Sequence, residues 1–145
     1  MFPKIIKRFF LSKREFKFIF FLNFYFFLAF TLGEIFFGFK SHINRIKKDK
    51  LKETQQYKLQ DILRIHTFFF KNIISASCLI RSLVLKKLLN FYGHESYLHI
   101  GIRRNNKIFE SHAWLYLKDG SSYEDNDELK TFKIIYKENI RNGRI

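Results

Sequence analysis

The segment that decides the fold runs from Ser77 to Gly93 and has the sequence SCLIRSLVLKKLLNFYG. Its apolar residues recur at three- and four-residue spacing, which predicts a helix with one broad buried face. Those residues are Leu79, Ile80, Leu83, Val84, Leu88 and Phe91. Gly93 follows them, and glycine commonly ends a helix in a left-handed conformation. Cys78, the single cysteine of the chain, therefore lies in the first turn.

The start of a helix is a favourable place for a reactive thiol. Its unpaired backbone N–H groups and partial positive charge favour a thiolate over a thiol, and the same groups bind oxyanions. Ser75 and Ser77 are the two candidates for the capping residue, since a serine hydroxyl accepts hydrogen bonds from early N–H groups. A lone cysteine is also a common small core residue, so Cys78 is either a nucleophile or a buried apolar group.

Downstream, residues 110–117 alternate in polarity and predict a strand, followed by a turn at Asp119 and Gly120 and a second strand over 121–125. We expect His112 on the first strand of this hairpin and Asp125 near the end of the second. Side chains two residues apart share a face of a strand. His112, Trp114 and Tyr116 are therefore expected to form one wall of a substrate cleft.

A cysteine at a helix start, followed by a histidine and an acid on adjacent strands, is the order of papain-like and transglutaminase-like hydrolases. The match becomes more specific in Cys-Leu-x-Arg-Ser-Leu from Cys78, Ile-Gly-Ile-Arg at 100–103 and His-Ala-Trp at 112–114. Over about residues 75–136 the chain resembles the lasso-peptide biosynthesis B2 proteins. Those proteins are transglutaminase-like cysteine peptidases that remove the leader from a ribosomally made precursor. Two alternatives stay open: another transglutaminase-like acyl transferase or amidase, and a membrane-associated interaction protein whose triad is inert.

The resemblance implies an α+β fold, in which N-terminal helices precede a cysteine helix packed on a small antiparallel sheet. It also implies a triad of Cys78, His112 and Asp125, with Asp125 orienting the imidazole. The turn after His112 is one residue longer than in that family, which leaves Glu124 as a second candidate. Counting from Gly120 selects Asp125.

The resemblance further implies a separate leader-binding (B1-type) protein, a precursor peptide as substrate and a lasso cyclase that uses the new N-terminus. A chain of 145 residues has no room for its own leader-binding module. We predict no cofactor, since the sequence has no phosphate-binding loop. We also predict no metal, because Cys78 and the histidines at 94, 99 and 112 lack the spacing of a zinc site.

Composition narrows the class of protein and its compartment. The chain is 47% hydrophobic and carries a net charge of +14, most of it within the first 60 residues. That charge suits an anionic membrane surface, an acidic peptide or nucleic acid, or follows from an AT-rich coding bias. No nucleic-acid motif is present, so we predict no nucleic-acid partner. One cysteine cannot form an internal disulfide, and we predict a reducing, cytoplasmic location.

We predict an apolar and basic helical region over residues 1–58 and a compact core over 59–145, together forming one domain. The run from Phe18 to Phe39 is long enough to span a bilayer, but Asn23, Thr31 and Glu34 fall in one helical sector. It is therefore either a transmembrane helix or a helix that packs on protein or lies at the membrane periphery. The run lacks a small-residue cleavage pattern, which disfavours a signal peptide.

The remaining elements follow from periodicity. A second helix is expected over Leu59–Ile74, where the apolar spacing again is helical. Residues 97–102 alternate as a strand, 103–107 form a polar turn, and a last short strand is expected near Phe132 to Ile135.

Overall fold

A computed structural model describes residues 14–48, 58–124 and 126–138. Within these residues the helices are α1 (Arg14–Lys48), α2 (Leu59–Asn72), α3 (Cys78–Phe91) and α4 (Asn126–Leu129). The strands are β1 (Ser96–Asn105), β2 (Ile108–Leu117) and β3 (Lys133–Lys137), which form one antiparallel sheet in the order β2-β1-β3. The predicted α+β fold, with helices leading into a small antiparallel sheet, is confirmed.

Helix α3 is the centre of the core. Its apolar residues Leu83, Val84, Leu85, Leu88 and Leu89 are at most 1% exposed. Burial extends further round the helix than the predicted single face, because α1 and α2 pack on α3 from one side and the sheet packs on it from the other.

Even a charged residue of α3 is buried. Lys86 lies on α3 with 4% of its side chain exposed, and its ammonium group meets the Glu138 carboxylate at 2.8 Å. The same group donates to the Ser96 carbonyl oxygen at 2.5 Å. Such pairing makes a buried charge tolerable, since an unpaired one is very costly. The pair also joins α3 to the chain that follows β3.

The ends of α3 are those that the sequence predicts. Of the two serine candidates, Ser77 is the cap, and its hydroxyl accepts a hydrogen bond from the Ile80 N–H at 3.4 Å. At the other end Gly93 has φ of 79°, a conformation that side chains with a Cβ rarely adopt. Both caps involve only residues near the helix ends, and the N-terminal cap places Cys78 in the first turn of α3.

Strands β1 and β2 form a long hairpin whose register runs from Ser96 opposite Leu117 to Asn105 opposite Ile108. The predicted turn over 103–107 is shorter in the structure, because the strand continues to Asn105 and only residues 106 and 107 turn. The expected faces are present on β2. Ala113 and Leu115 join the main core, whereas Trp114 joins a second cluster on the opposite face of the sheet.

The predicted second hairpin, between 110–117 and 121–125, is wrong. After the turn at Gly120 the chain makes one isolated bridge, between Tyr116 and Ser122, and then leaves β2. The reason lies in the outer edge of β2, where the Ser82 hydroxyl of α3 already donates to the Ala113 carbonyl oxygen at 2.8 Å. A strand cannot pair along an edge that a helix occupies.

Helix α1 packs along α2 and α3 with Ile19, Phe26 and Phe30 facing inward. Asn23 is fully buried on this face; its Nδ2 donates to the Ile19 carbonyl oxygen and its Oδ1 lies 2.9 Å from His66 Nδ1. Part of the polar sector of α1 therefore contacts protein. The side chain of Glu34 lies outside the described residues, as do residues 49–57, so the boundary at 58 stays a prediction.

The contact with Asn23 determines the form of His66. Asn23 uses its amide N–H toward Ile19, so its oxygen accepts and His66 Nδ1 carries the hydrogen. Burial first, and then the charge of Arg81, lower the pKa of His66 from 6.5 to about 3. The folded state therefore holds His66 neutral, whereas the unfolded chain protonates it below its ordinary pKa.

We expect this histidine to make the fold sensitive to acid. Because its folded pKa is depressed, stability is lost as pH falls below 6.5, by about 2.5 kcal/mol at about pH 4.5. His66→Gln keeps a donor for Asn23 but does not titrate, so its free energy of unfolding should fall less over the same pH range. Urea unfolding of both proteins, followed by circular dichroism at about pH 6.5 and about pH 4.5, measures how much stability each one loses. Equal losses in the two proteins would contradict the assignment.

Candidate active site

The N-terminal end of α3 is docked on the outer edge of β2. Ser82 is 1% exposed and donates to the Ala113 carbonyl oxygen at 2.8 Å, while the Cys78 sulfur lies 4.0 Å from the Ser111 carbonyl oxygen. Residues four apart lie on one face of a helix, so Cys78 and Ser82 meet the same strand one turn apart. The two carbonyl groups flank His112 in sequence. This docking brings the thiol beside the imidazole.

Cys78 and His112 lie close enough to shift each other's pKa. The hydrogen bond to His112 lowers the pKa of the Cys78 thiol, burial opposes this, and the backbone N–H groups of Ala113 and Leu79 lower it further. In turn, the bond to Cys78 and then the Glu124 carboxylate raise the pKa of His112 to about 9. A lowered thiol pKa beside an imidazole pKa raised to about 9 shifts the pair toward thiolate and imidazolium.

The acid that contacts the ring is Glu124. Its Oε2 lies 2.5 Å from His112 Nε2. With Nε2 engaged there, Nδ1 is the ring nitrogen left for the thiol. Asp125, the acid chosen by counting from Gly120, lies outside the described residues, and its role stays a prediction. The sequence signal for Glu124 is the turn after His112, which is one residue longer than in the lasso B2 proteins and leaves Glu124 as a candidate for the orienting acid.

Aromatic rings support His112 from beneath. Trp114 lies 5.9 Å from the His112 ring at an interplanar angle of 15°, and Phe132 lies 5.5 Å from it. The expectation that Trp114 forms a cleft wall is wrong, because only 1% of its surface is exposed. It has no room to touch a substrate, and its contact is with the imidazole. The sequence predicts that His112 and Trp114 share one face of β2, but it does not predict which of the two rings is buried.

Two neighbours of the site were missed by the sequence reasoning. Ser82, which holds α3 against β2, was recognisable as a polar residue within the buried face, one turn after Cys78. Tyr123 precedes Glu124; burial first, and then the charge of Glu124, raise its pKa. The charge of Arg81 lowers the pKa of Tyr123 and that of Cys78 raises it, so Tyr123 belongs to the same electrostatic environment as the thiol.

The other histidine of the sheet is separate from this pair. His99 is buried, with its ring 5.9 Å from Trp114 and 4.8 Å from Tyr116. It pairs with Trp114 in the strand register, two positions along β1 from Gly101, the residue opposite His112. Among the residues that the structure describes, no three His, Cys, Asp or Glu side chains are grouped to hold a metal ion.

A helix that starts with a cysteine, docked on an antiparallel sheet that presents a histidine and an acid to it, defines the class of thiol-dependent acyl-transfer folds. A family model described as the Transglutaminase-like superfamily matches residues 37–137, which is more than half of the chain. The chain belongs to this superfamily, which includes cysteine peptidases and acyltransferases. Neither the curated proteins nor the solved structures gave a match.

The ionisation of Cys78 can be measured directly, because the chain contains no other thiol. His112→Ala removes the largest cause of the lowered thiol pKa, so the midpoint of iodoacetamide alkylation against pH should move to higher pH. Mass spectrometry of the alkylated protein gives the midpoint. His94→Ala, outside the pair, serves as the control and should behave as wild type. An unchanged midpoint in His112→Ala would contradict the pairing.

Gly101 faces His112 across the hairpin and tests the aromatic support. A Cβ placed there would lie 2.8 Å from Phe132 Cβ and 2.9 Å from Trp114 Cη2. Such crowding typically costs about 1–3 kcal/mol, so Gly101→Ala should lower the free energy of unfolding by that amount and slow Cys78 alkylation at neutral pH. Denaturant unfolding and alkylation rates check both. A variant as stable and reactive as wild type would show that the rings can move aside freely.

Proposed function

We propose that this chain is a cysteine peptidase that cleaves the leader from a ribosomally synthesised lasso-peptide precursor. The observation that carries the chemistry is the position of the Cys78 sulfur, 4.0 Å from the carbonyl oxygen of Ser111, next to His112, whose ring contacts Glu124. In this arrangement the thiol pKa is lowered and the imidazole pKa is raised. The substrate class rests on the Cys-Leu-x-Arg-Ser-Leu and His-Ala-Trp motifs that resemble the lasso B2 proteins. Membership of a superfamily that contains cysteine peptidases agrees with the proposed chemistry.

In the first half of the reaction the Cys78 thiolate attacks the carbonyl carbon at the leader–core junction, and a carbon–sulfur bond forms. The backbone N–H of Cys78, at the start of α3, is suited to bind the oxyanion. The His112 imidazolium then gives its proton to the departing amine. The C–N bond breaks, which releases the core peptide with a free N-terminus and leaves the leader as a thioester on Cys78.

In the second half, neutral His112 takes a proton from water, and the resulting hydroxide attacks the thioester carbonyl. The carbon–sulfur bond breaks, the leader leaves with a free carboxylate, and the thiolate and imidazolium are restored. We assign the orienting role to Glu124, because its carboxylate accepts the Nε2–H and leaves Nδ1 toward the sulfur. Asp125 is the alternative acid.

The proposed partners follow from the resemblance to the lasso B2 proteins. A separate leader-binding protein delivers the precursor, and a lasso cyclase consumes the new N-terminus in the cytoplasm. A second candidate function is acyl transfer to an amine, which the superfamily also contains and which needs the same thioester. The two differ only in whether water or an amine attacks the thioester.

The test combines the full chain, its leader-binding partner and the precursor, and follows the products by mass spectrometry. Wild type should release the leader, and Cys78→Ala should not. Glu124→Gln should lower the rate at least about a hundredfold, because the imidazole loses its orientation, whereas the neighbouring Asp125→Asn should cleave at close to the wild-type rate.

Other outcomes separate the alternatives. Equal cleavage by wild type and Cys78→Ala would remove the thiol from the reaction. Loss of activity in Asp125→Asn but not in Glu124→Gln would identify Asp125 as the orienting acid. A leader that carries an added amine in place of a free carboxylate would identify an acyltransferase.

A further inference from the structure

Helix α1 presents a row of large apolar side chains to the outside. Phe21, Tyr25, Leu28 and Leu32 follow one another at four-, three- and four-residue spacing, so they lie along one helical face. With their neighbours they form what we call the outer face of α1: Phe18 (49% exposed), Phe21 (62%), Phe24 (45%), Tyr25 (64%), Leu28 (41%) and Leu32 (53%). Contiguous apolar surface of this size on a folded domain is typical of a binding site.

The other side of the same helix is fastened to the domain. Phe20 and Phe27 make edge-on contacts with Phe69 and Phe70 of α2, at 5.1 and 6.1 Å between ring centres. The buried Asn23–His66 contact lies between them. Because α1 also contacts α3 extensively, its apolar stretch is part of the fold that holds Cys78.

These contacts bear on the two sequence interpretations of the apolar run. The stretch Phe16–Gly33 is long and apolar enough to cross a bilayer, with a mean hydropathy of 1.7, and only 28% of it is buried. If it crossed, α2 and α3 would enter the hydrocarbon with it, together with exposed Arg64 and Lys71. Each such charge costs about 2.5–3.5 kcal/mol at the bilayer centre. The packing of α1 on α2 and α3 therefore disfavours a helix that crosses the bilayer.

The charge of the chain favours anionic lipid. The net charge is +14, and the sequence places Lys17 at one end of the outer face. Beyond the other end it places one acid, Glu34, and then the basic cluster Arg45, Lys47, Lys48, Lys50 and Lys52. Near an anionic bilayer each Lys or Arg contributes about 1 kcal/mol of attraction. Helices with an apolar face and flanking basic residues lie in the interface plane with that face in the acyl boundary.

We propose that the outer face of α1 binds the surface of an anionic lipid bilayer, with α1 parallel to the membrane plane and the domain on the aqueous side. This anchorage is independent of which peptide Cys78 acts on. It would hold the site at a membrane surface, as suits an enzyme whose substrate or partners are collected there.

Vesicle co-sedimentation of the full chain tests the proposal. Wild type should bind vesicles of phosphatidylglycerol and phosphatidylcholine, and bind vesicles of phosphatidylcholine alone at least about tenfold more weakly. The triple variant Phe21→Ser, Tyr25→Ser, Leu28→Ser should lose about a hundredfold in affinity, since three apolar side chains no longer enter the lipid. Its α1 contacts with α2 and α3 remain, and circular dichroism checks that it folds.

A matched control removes the same number of exposed apolar groups elsewhere. Phe109, Ile134 and Ile135 are 72%, 48% and 59% exposed on the sheet. Their simultaneous replacement by serine should leave vesicle binding as in wild type. Equal loss in both triple variants would overturn the proposal, because any exposed apolar group would then serve, and so would the absence of wild-type binding.

Two further results are decisive. Release of bound protein by alkaline carbonate is expected for a surface helix, whereas resistance to carbonate would identify a transmembrane helix and overturn the orientation. Light scattering without lipid should give the same mass for wild type and the outer-face variant. A wild-type dimer that the variant converts to a monomer would identify a second copy of the chain as the occupant of the face.

Discussion

The site depends on the docking of one helix end on one strand edge. The Ser82 hydroxyl satisfies the Ala113 carbonyl, and Cys78, one turn earlier, comes to rest beside Ser111. A buried carbonyl without a donor costs about 1–3 kcal/mol, so this hydrogen bond stabilises one position of α3 along β2. Since His112 lies between the two contacted residues, its position relative to the sulfur is fixed at the same time.

This docking also explains the electrostatics of the pair. Burial alone would raise the thiol pKa, and it does oppose ionisation here. It is outweighed by the hydrogen bond to His112 and by backbone N–H groups that the helix start and the strand edge direct at the sulfur. Glu124 on one nitrogen and the stacked Trp114 beneath the ring then restrict how the imidazole can turn. Charge and orientation therefore come from the same few contacts.

The two sides of helix α1 are both apolar but lie in different environments. The inner side closes the core over α2 and α3 and accepts a buried amide only because His66 pairs with it. The outer side leaves aromatic surface exposed that the core does not need. A sequence that is apolar on both sides is typical of a transmembrane helix, and the periodicity of α1 alone does not separate that case from a helix held between a domain and a lipid surface.

The amino-acid sequence by itself determined the local elements: the span and caps of α3, the position of Cys78 in its first turn, and the faces of β2. These follow from backbone periodicity and from side chains within a few residues, such as Ser77 and Gly93. The tertiary structure decided which acid reaches His112, why the second hairpin does not form, and that Trp114 is buried beneath the imidazole. Each of these depends on which strand edge α3 occupies, and edge occupancy is a long-range property that no local pattern encodes.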